Sequence, residues 1–239
     1  MDLSDRIGLI VQSTQQVRDL LRQQRIVVAF GQRATLCFAI AGPLGAAQVV
    51  GACTTAAETL ERLARQQPDV LLCGDQLEEG CGIELVLAAK QRWPLLRTLL
   101  LVSGRPRPAQ LKALIDVGCD GLLLDSTLGA GTASSAVATV CGGGIVVDRA
   151  IVALLRTQLG DGRPAAQPAL SGREQEVLTL LARGDNNAEI AQQLVISIET
   201  VKSHLKSVLL KLSARGRTHA AVLALQLGLV EWPADPQGR

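Results

Sequence analysis

Between residues 25 and 124, short and mainly apolar runs alternate with stretches of helical periodicity, and few folds accept that pattern. The runs are Ile26–Phe30, Val49–Cys53, Val70–Gly74, Thr98–Ser103 and Gly121–Leu124. Helical segments follow them at about 32–41, 56–67, 83–92, 108–117 and 130–141. A strand without a polar side must be covered on both faces, so the alternation implies a parallel sheet between two helical layers. Five β/α units of this length predict an α/β domain: a flavodoxin-like, doubly wound, five-stranded parallel sheet. Gly118 and the Cys119-Asp120-Gly121 turn close the fourth helix before the last strand.

The flanks divide the chain further. Ile7, Ile10, Val11, Val17, Leu20 and Leu21 form an imperfect stripe, which predicts a helical extension over residues 1–24. Such a helix can pack on its own domain, pair with a second copy or dock loosely. The α/β domain is expected over 25–155. It ends in the Gly142-Gly-Gly144 turn, a short apolar run (Ile145-Val146-Val147) and a helix starting at Asp148. Small residues, Gly and Pro mark a linker over 156–169. Residues 170–232 then read as an all-α domain of four helices.

Composition excludes several classes. A formal charge of +2 gives no general basic field, so any nucleic-acid site must rest on local placement of charge. Residues 34–57 carry no charge and are long enough to cross a bilayer. Gly42-Pro43, Gly45 and Gly51 interrupt them, and aromatic anchors are missing, so a helix–turn–strand is expected and no membrane association. None of the six cysteines forms a Cys-x-x-Cys pair, and both histidines lie in the C-terminal part. Neither a metal site nor a cofactor is expected, and the thiols fit a reducing cytoplasm.

The C-terminal part carries the strongest local signal. Ser171-Gly-Arg-Glu174 is a capping box, and Val177, Leu178 and Leu181 line the helix behind it up to Gly184. A short helix runs from Asn187 to Leu194, and Val195-Ile196 turns the chain. Ser197 then caps a longer helix in which Val201, Leu205, Val208 and Leu212 form one apolar stripe. Lys202, Ser203 and Lys206 fall on the other side. An ordinary solvated helix has the same pattern, but a short helix, a tight turn and a basic second helix form a helix-turn-helix arrangement.

Residues 170–230 closely resemble the LuxR-type (NarL/FixJ-like) DNA-binding domain, through Leu170-Ser-Gly-Arg-Glu174, Asn187-Ala-Glu-Ile-Ala191, Thr200-Val-Lys-Ser-His-Leu205, Lys211-Leu212 and Arg217-Thr218. The resemblance implies that Lys202, Ser203 and Lys206 face bases and that Ser197, Thr200 and Lys211 hold the DNA backbone. It also implies that Glu174 bridges to a basic side chain and that the fourth helix forms a dimer contact. Ala188 stands where the family usually has a basic residue, and Gly216 where it usually has Asn.

The α/β units resemble a response-regulator receiver domain in spacing, at Pro68-Asp-Val-Leu-Leu, Gly82, Ser103 and Gly118 to Leu124. A receiver phosphorylates an Asp ending its third strand, with an acidic pair holding Mg²⁺ and a Lys after the fifth strand. Here the acidic pair aligns with Phe30 and Gly31, the acceptor with Gly74 and the Lys with Asp125. Only Ser103, at the switch Ser/Thr position, matches. Asp75 lies one residue too far, where strand alternation turns it to the other face. The expected function is therefore a sequence-specific transcription regulator of the response-regulator type with a degenerate, phosphorylation-independent pseudo-receiver. It would bind double-stranded DNA as a homodimer. The alternative is an adaptor whose pseudo-receiver docks a kinase or another regulator. No nucleophile–base pair or Walker-type loop supports an enzyme.

Overall fold

The computed structural model describes residues 21–41, 44, 48–104, 106–127, 132–156 and 169–231. The expected N-terminal helix, apart from residues 21–24, and the expected linker, apart from Arg156 and Ala169, lie outside these residues. The α/β part runs β1 (Arg25–Ala29), α1 (Arg33–Ala41), β2 (Gln48–Cys53), α2 (Ala56–Gln66), β3 (Val70–Gly74), α3 (Gly82–Arg92), β4 (Arg97–Val102), α4 (Pro108–Asp116), β5 (Gly121–Leu124), α5 (Thr132–Cys141), β6 (Val146–Val147) and α6 (Arg149–Arg156). Four helices follow: α7 (Gly172–Arg183), α8 (Asn187–Leu194), α9 (Ile198–Lys211) and α10 (Arg217–Gln226).

The sheet is parallel throughout and has the order β2-β1-β3-β4-β5-β6. It is doubly wound as expected but has six strands, not five. The additional strand is two residues of the Ile145-Val146-Val147 run, Val146 pairing with Gly121 and Val147 with Leu122. A two-residue edge strand has too few positions for a period to register.

Side chains of each strand alternate between two cores. Ile26, Val28, Val70, Leu72, Leu99 and Leu123 pack on one face with Leu36 of α1 and Val137 and Val140 of α5. Val27, Leu71, Cys73, Leu100, Val102 and Leu122 pack on the other, beneath α2, α3 and α4. The uncharged stretch 34–57 is indeed broken into α1 and β2, and no described helix is long and apolar enough to cross a membrane.

The second core continues into the C-terminal helices. Ile151, Val152 and Leu155 of α6 share it with Ala220, Ala221, Ala224 and Leu225 of α10. A Cβ on Gly144 would fall 2.1 Å from the Gly184 carbonyl oxygen, so the two backbones meet where only glycine fits. Polar contacts edge this seam. Asp116 of α4 lies 3.1 Å from the Arg215 guanidinium and 3.6 Å from His219 Nδ1. His219 Nδ1 accepts from the Arg215 backbone N–H at 3.2 Å, which requires an unprotonated nitrogen there. Burial agrees, holding its pKa below the usual imidazole value against the pull of Asp116.

Candidate nucleic-acid interface and the sheet-edge cleft

The helix-turn-helix is built from its caps inward. Asn186 caps α8, its Oδ1 accepting from the N–H groups of Ala188 (2.9 Å) and Glu189 (3.0 Å), while Glu189 Oε2 accepts from Asn186 N–H at 2.7 Å. This second capping box follows the same spacing rule as Ser171/Glu174, and Asn-x-x-Glu was its signal in the sequence. Val195 ends α8 in the left-handed region, at φ 55°. A β-branched residue there costs on the order of 1–2 kcal/mol, and the turn holds because Ile196 N–H bonds back to Ala191 O at 3.0 Å. Ser197 Oγ then accepts from Thr200 N–H at 3.1 Å, starting α9.

Val201, Leu205 and Val208 of α9 are buried against Val177, Leu178 and Leu181 of α7 and Ile190 of α8. That leaves Lys202, Ser203 and Lys206 together on the exposed side. Ser197 and Thr200 are also exposed, but their hydroxyls bond each other at 2.8 Å within the cap. Lys211 is committed elsewhere: its ammonium lies 2.7 Å from Glu174 Oε2, and Ser207 Oγ donates to Glu174 Oε1 at 2.5 Å. These two contacts, with the Ser171 cap, hold the Glu174 carboxyl down to about 2. Lys211 therefore fixes the far end of α9 to α7. Arg217 ties α10 to the α7–α8 turn, donating to Asp185 O at 2.9 Å and to Asn187 Oδ1. Gly216 heads α10 without a side-chain cap, the local result of lacking Asn there.

At the carboxyl ends of the strands, Phe30, Gly31, Gly74, Asp75, Ser103 and Asp125 line one open cleft of about 430 Å³. The aligned positions are thus brought together in one cleft. A Cβ on Gly74 would meet Phe30 Cδ1 at 2.9 Å, and one on Gly31 would meet the Leu77 and Glu78 backbone at 2.8–2.9 Å. Phe30 is 7% exposed, so its ring fills the space into which a side chain at 74 would grow. Asp75 corrects an expectation. Strand alternation turned it away, yet β3 ends at Gly74, the chain bends, and Asp75 enters the cleft to accept from Ser103 Oγ at 2.7 Å. Among the described residues, no group of three or more His, Cys, Asp or Glu is placed to hold a metal.

Comparison with known proteins bears on both parts. Residues 168–224 match the model of the bacterial regulatory proteins of the luxR family. The response regulator protein VraR of Staphylococcus aureus is 30% identical over 184 residues, 77% of this chain and 87% of that protein. The DNA-binding transcriptional activator DevR/DosR of Mycobacterium tuberculosis is 34% identical over 190 residues, 78% of this chain and 86% of its own. A solved structure of the RcsB response regulator of Salmonella typhimurium superposes with a TM-score of 0.50 at 26% identity, covering 84% of this chain and 96% of that one. The chain belongs to the DNA-binding response regulators of the luxR family.

Proposed function

We propose that this protein is a sequence-specific transcription regulator, acting in the cytoplasm as a homodimer on double-stranded DNA, whose receiver-like domain works without phosphoryl transfer. One observation carries the second half of that reading: Phe30 occupies the space that an acceptor side chain at position 74 would need. The replacements are mutually consistent. Phe30 removes one carboxylate and fills the void beside Gly74, and the Leu77–Glu78 backbone lies where a side chain at Gly31 would begin. Asp125 replaces a cation with an anion. Asp75, though in the cleft, faces Ser103, and among the described residues it belongs to no group of three or more carboxylates placed to hold Mg²⁺.

For DNA, Lys202, Ser203 and Lys206 offer donors from a helix held rigidly by its buried side, which suits base edges and phosphates in a major groove. Ser197, Thr200 and Lys211 are proposed as backbone contacts, with Lys211 sharing its charge with Glu174. Incubation with acetyl phosphate and Mg²⁺ followed by intact-mass measurement tests the first claim. No phosphoryl adduct is expected, and a stoichiometric one at Asp75 overturns it. Gel shifts on genomic fragments test the second, with log affinity expected to fall linearly with log salt.

A second reading, the adaptor, has its own observation. Ala34, Cys37, Phe38 and Ala41 share one exposed side of α1, Phe38 being 74% exposed, a surface suited to a protein partner. Capture of a specific partner by Phe38-containing protein but not by Phe38→Ser supports it.

A further inference from the structure

On the exposed side of α9, Lys202 does not stand alone. Its Nζ lies 2.7 Å from Oε1 of Glu199, one turn earlier, and the two side chains are 55% and 80% exposed. Ser203 and Lys206 continue the same exposed stripe. The helix therefore presents a donor-only group and an acceptor-only group side by side, next to the other outward residues. We infer that Glu199 and Lys202 read a G·C base pair as one unit. The ammonium donates to guanine O6 and N7, and the carboxylate accepts from the N4 amino group of the paired cytosine. The inference rests on the proposal that α9 enters the major groove.

Geometry supports it. Guanine O6 and cytosine N4 are hydrogen-bonded to each other, so they lie about 2.9 Å apart. The two protein atoms are 2.7 Å apart, so the side chains reach neighbouring base atoms without separating. The groove edge of G·C runs acceptor, acceptor, donor. On A·T the ammonium would face the adenine amino group and the carboxylate the thymine O4, a mismatch at both. On C·G the order is reversed. T·A offers O4 and then an amino group, so it matches in part. There the ammonium loses N7 and meets the thymine methyl, and the carboxylate lies against the lone pair of adenine N7. The expected order is G·C first, T·A second, and A·T and C·G well behind.

Charge defines the role more sharply. The pair is neutral overall, so it displaces little of the counterion layer and contributes discrimination in place of general attraction. An exposed ion pair one turn apart holds its partners only weakly, so a base pair can share them at little cost.

The test is selection of a random duplex library by the full-length protein and its variants, with thermal melting of each variant to confirm folding. The wild type is expected to enrich G·C at one fixed position in each half-site. Glu199→Ala should lower the preference for cytosine there by about tenfold and admit T·A. It should also bind non-specific duplex more tightly, with a salt slope steeper by about one, because Lys202 is freed for phosphate. Glu199→Gln, which offers a donor and an acceptor, should move the preference towards adenine. If Glu199→Ala selects the wild-type motif unchanged while Lys202→Ala alters it, the paired reading is overturned and groove entry stands. If Lys202→Ala and Lys206→Ala also select the wild-type motif, or the wild type enriches no sequence, groove reading falls as well.

Discussion

The proposed reading face of α9 and the cleft at the sheet edge are both positioned by the fold, and they are filled in different ways. Around α9 two capping boxes, a serine cap and the Glu174–Lys211 tie hold a helix whose outward side chains stay exposed. At the cleft the positions converge as the fold requires, and the Phe30 ring occupies the space beside Gly74, as the proposed loss of phosphoryl transfer needs. A ring fills one corner, glycines line others, and the Asp75 carboxylate accepts from Ser103. The contrast teaches that a scaffold preserves the meeting of positions without preserving what they do. Caps and core stripes fix where a side chain points. Whether it holds a charge is decided residue by residue.

Five experiments can break or sharpen this contrast. Replacing Lys202 and Lys206 together by Ala should reduce binding to a selected duplex to the non-specific level, a loss on the order of 10³-fold, measured by fluorescence anisotropy. Retention of specific binding would remove the reading face from the comparison. Gly74→Asp should fail to create a phosphoryl site. It should destabilise the fold by about 1–3 kcal/mol in denaturant unfolding, because the new side chain must displace Phe30. A stable Gly74→Asp protein that gains a phosphoryl group would show the cleft to be dormant and not replaced.

Glu174→Gln should lower the melting temperature near neutral pH through the lost tie to Lys211. The sign follows from the depressed carboxyl: its contribution is present above the unfolded value near 4.3 and is lost as pH falls towards 2. Melting of wild type and variant should therefore converge over that acid range. The smallest effect is expected from Asp116→Asn at the seam, about 0–1 kcal/mol, since its Arg215 partner is largely exposed. Below about pH 6.5 the seam of the wild type should itself loosen. His219 is favoured neutral in the folded protein, and its protonation favours the open state. Amide hydrogen exchange along α10 between pH 7.5 and 5.5 measures it.

Much of this arrangement was legible in the sequence, for identifiable reasons. β3 and β5 fall on the residues expected because fully buried strands leave long apolar runs bounded by turns. α9 was legible because three buried side chains at helical spacing stand against lysines. The meeting of Phe30, Gly31, Gly74, Ser103 and Asp125 at one cleft was legible from register alone. The placement of Asp75 was not, because alternation holds only inside a strand and β3 stops one residue earlier. The contact of Phe30 with position 74 joins two strands, and neither residue announces the other. The seam was invisible for another reason: Gly144 and Gly184 act through their smallness, which leaves no periodic or charged trace.

That seam has a consequence for concentration. If the proposed homodimer pairs through α10, it must first take that helix from the seam, where Arg156 of α6 donates to Leu225 O and Leu225 is already buried. Only molecules with α10 vacant count towards assembly, so the apparent dissociation constant on DNA is the intrinsic one divided by that vacant fraction. Under that reading, the contacts at the seam set how much protein is needed before its DNA sites fill.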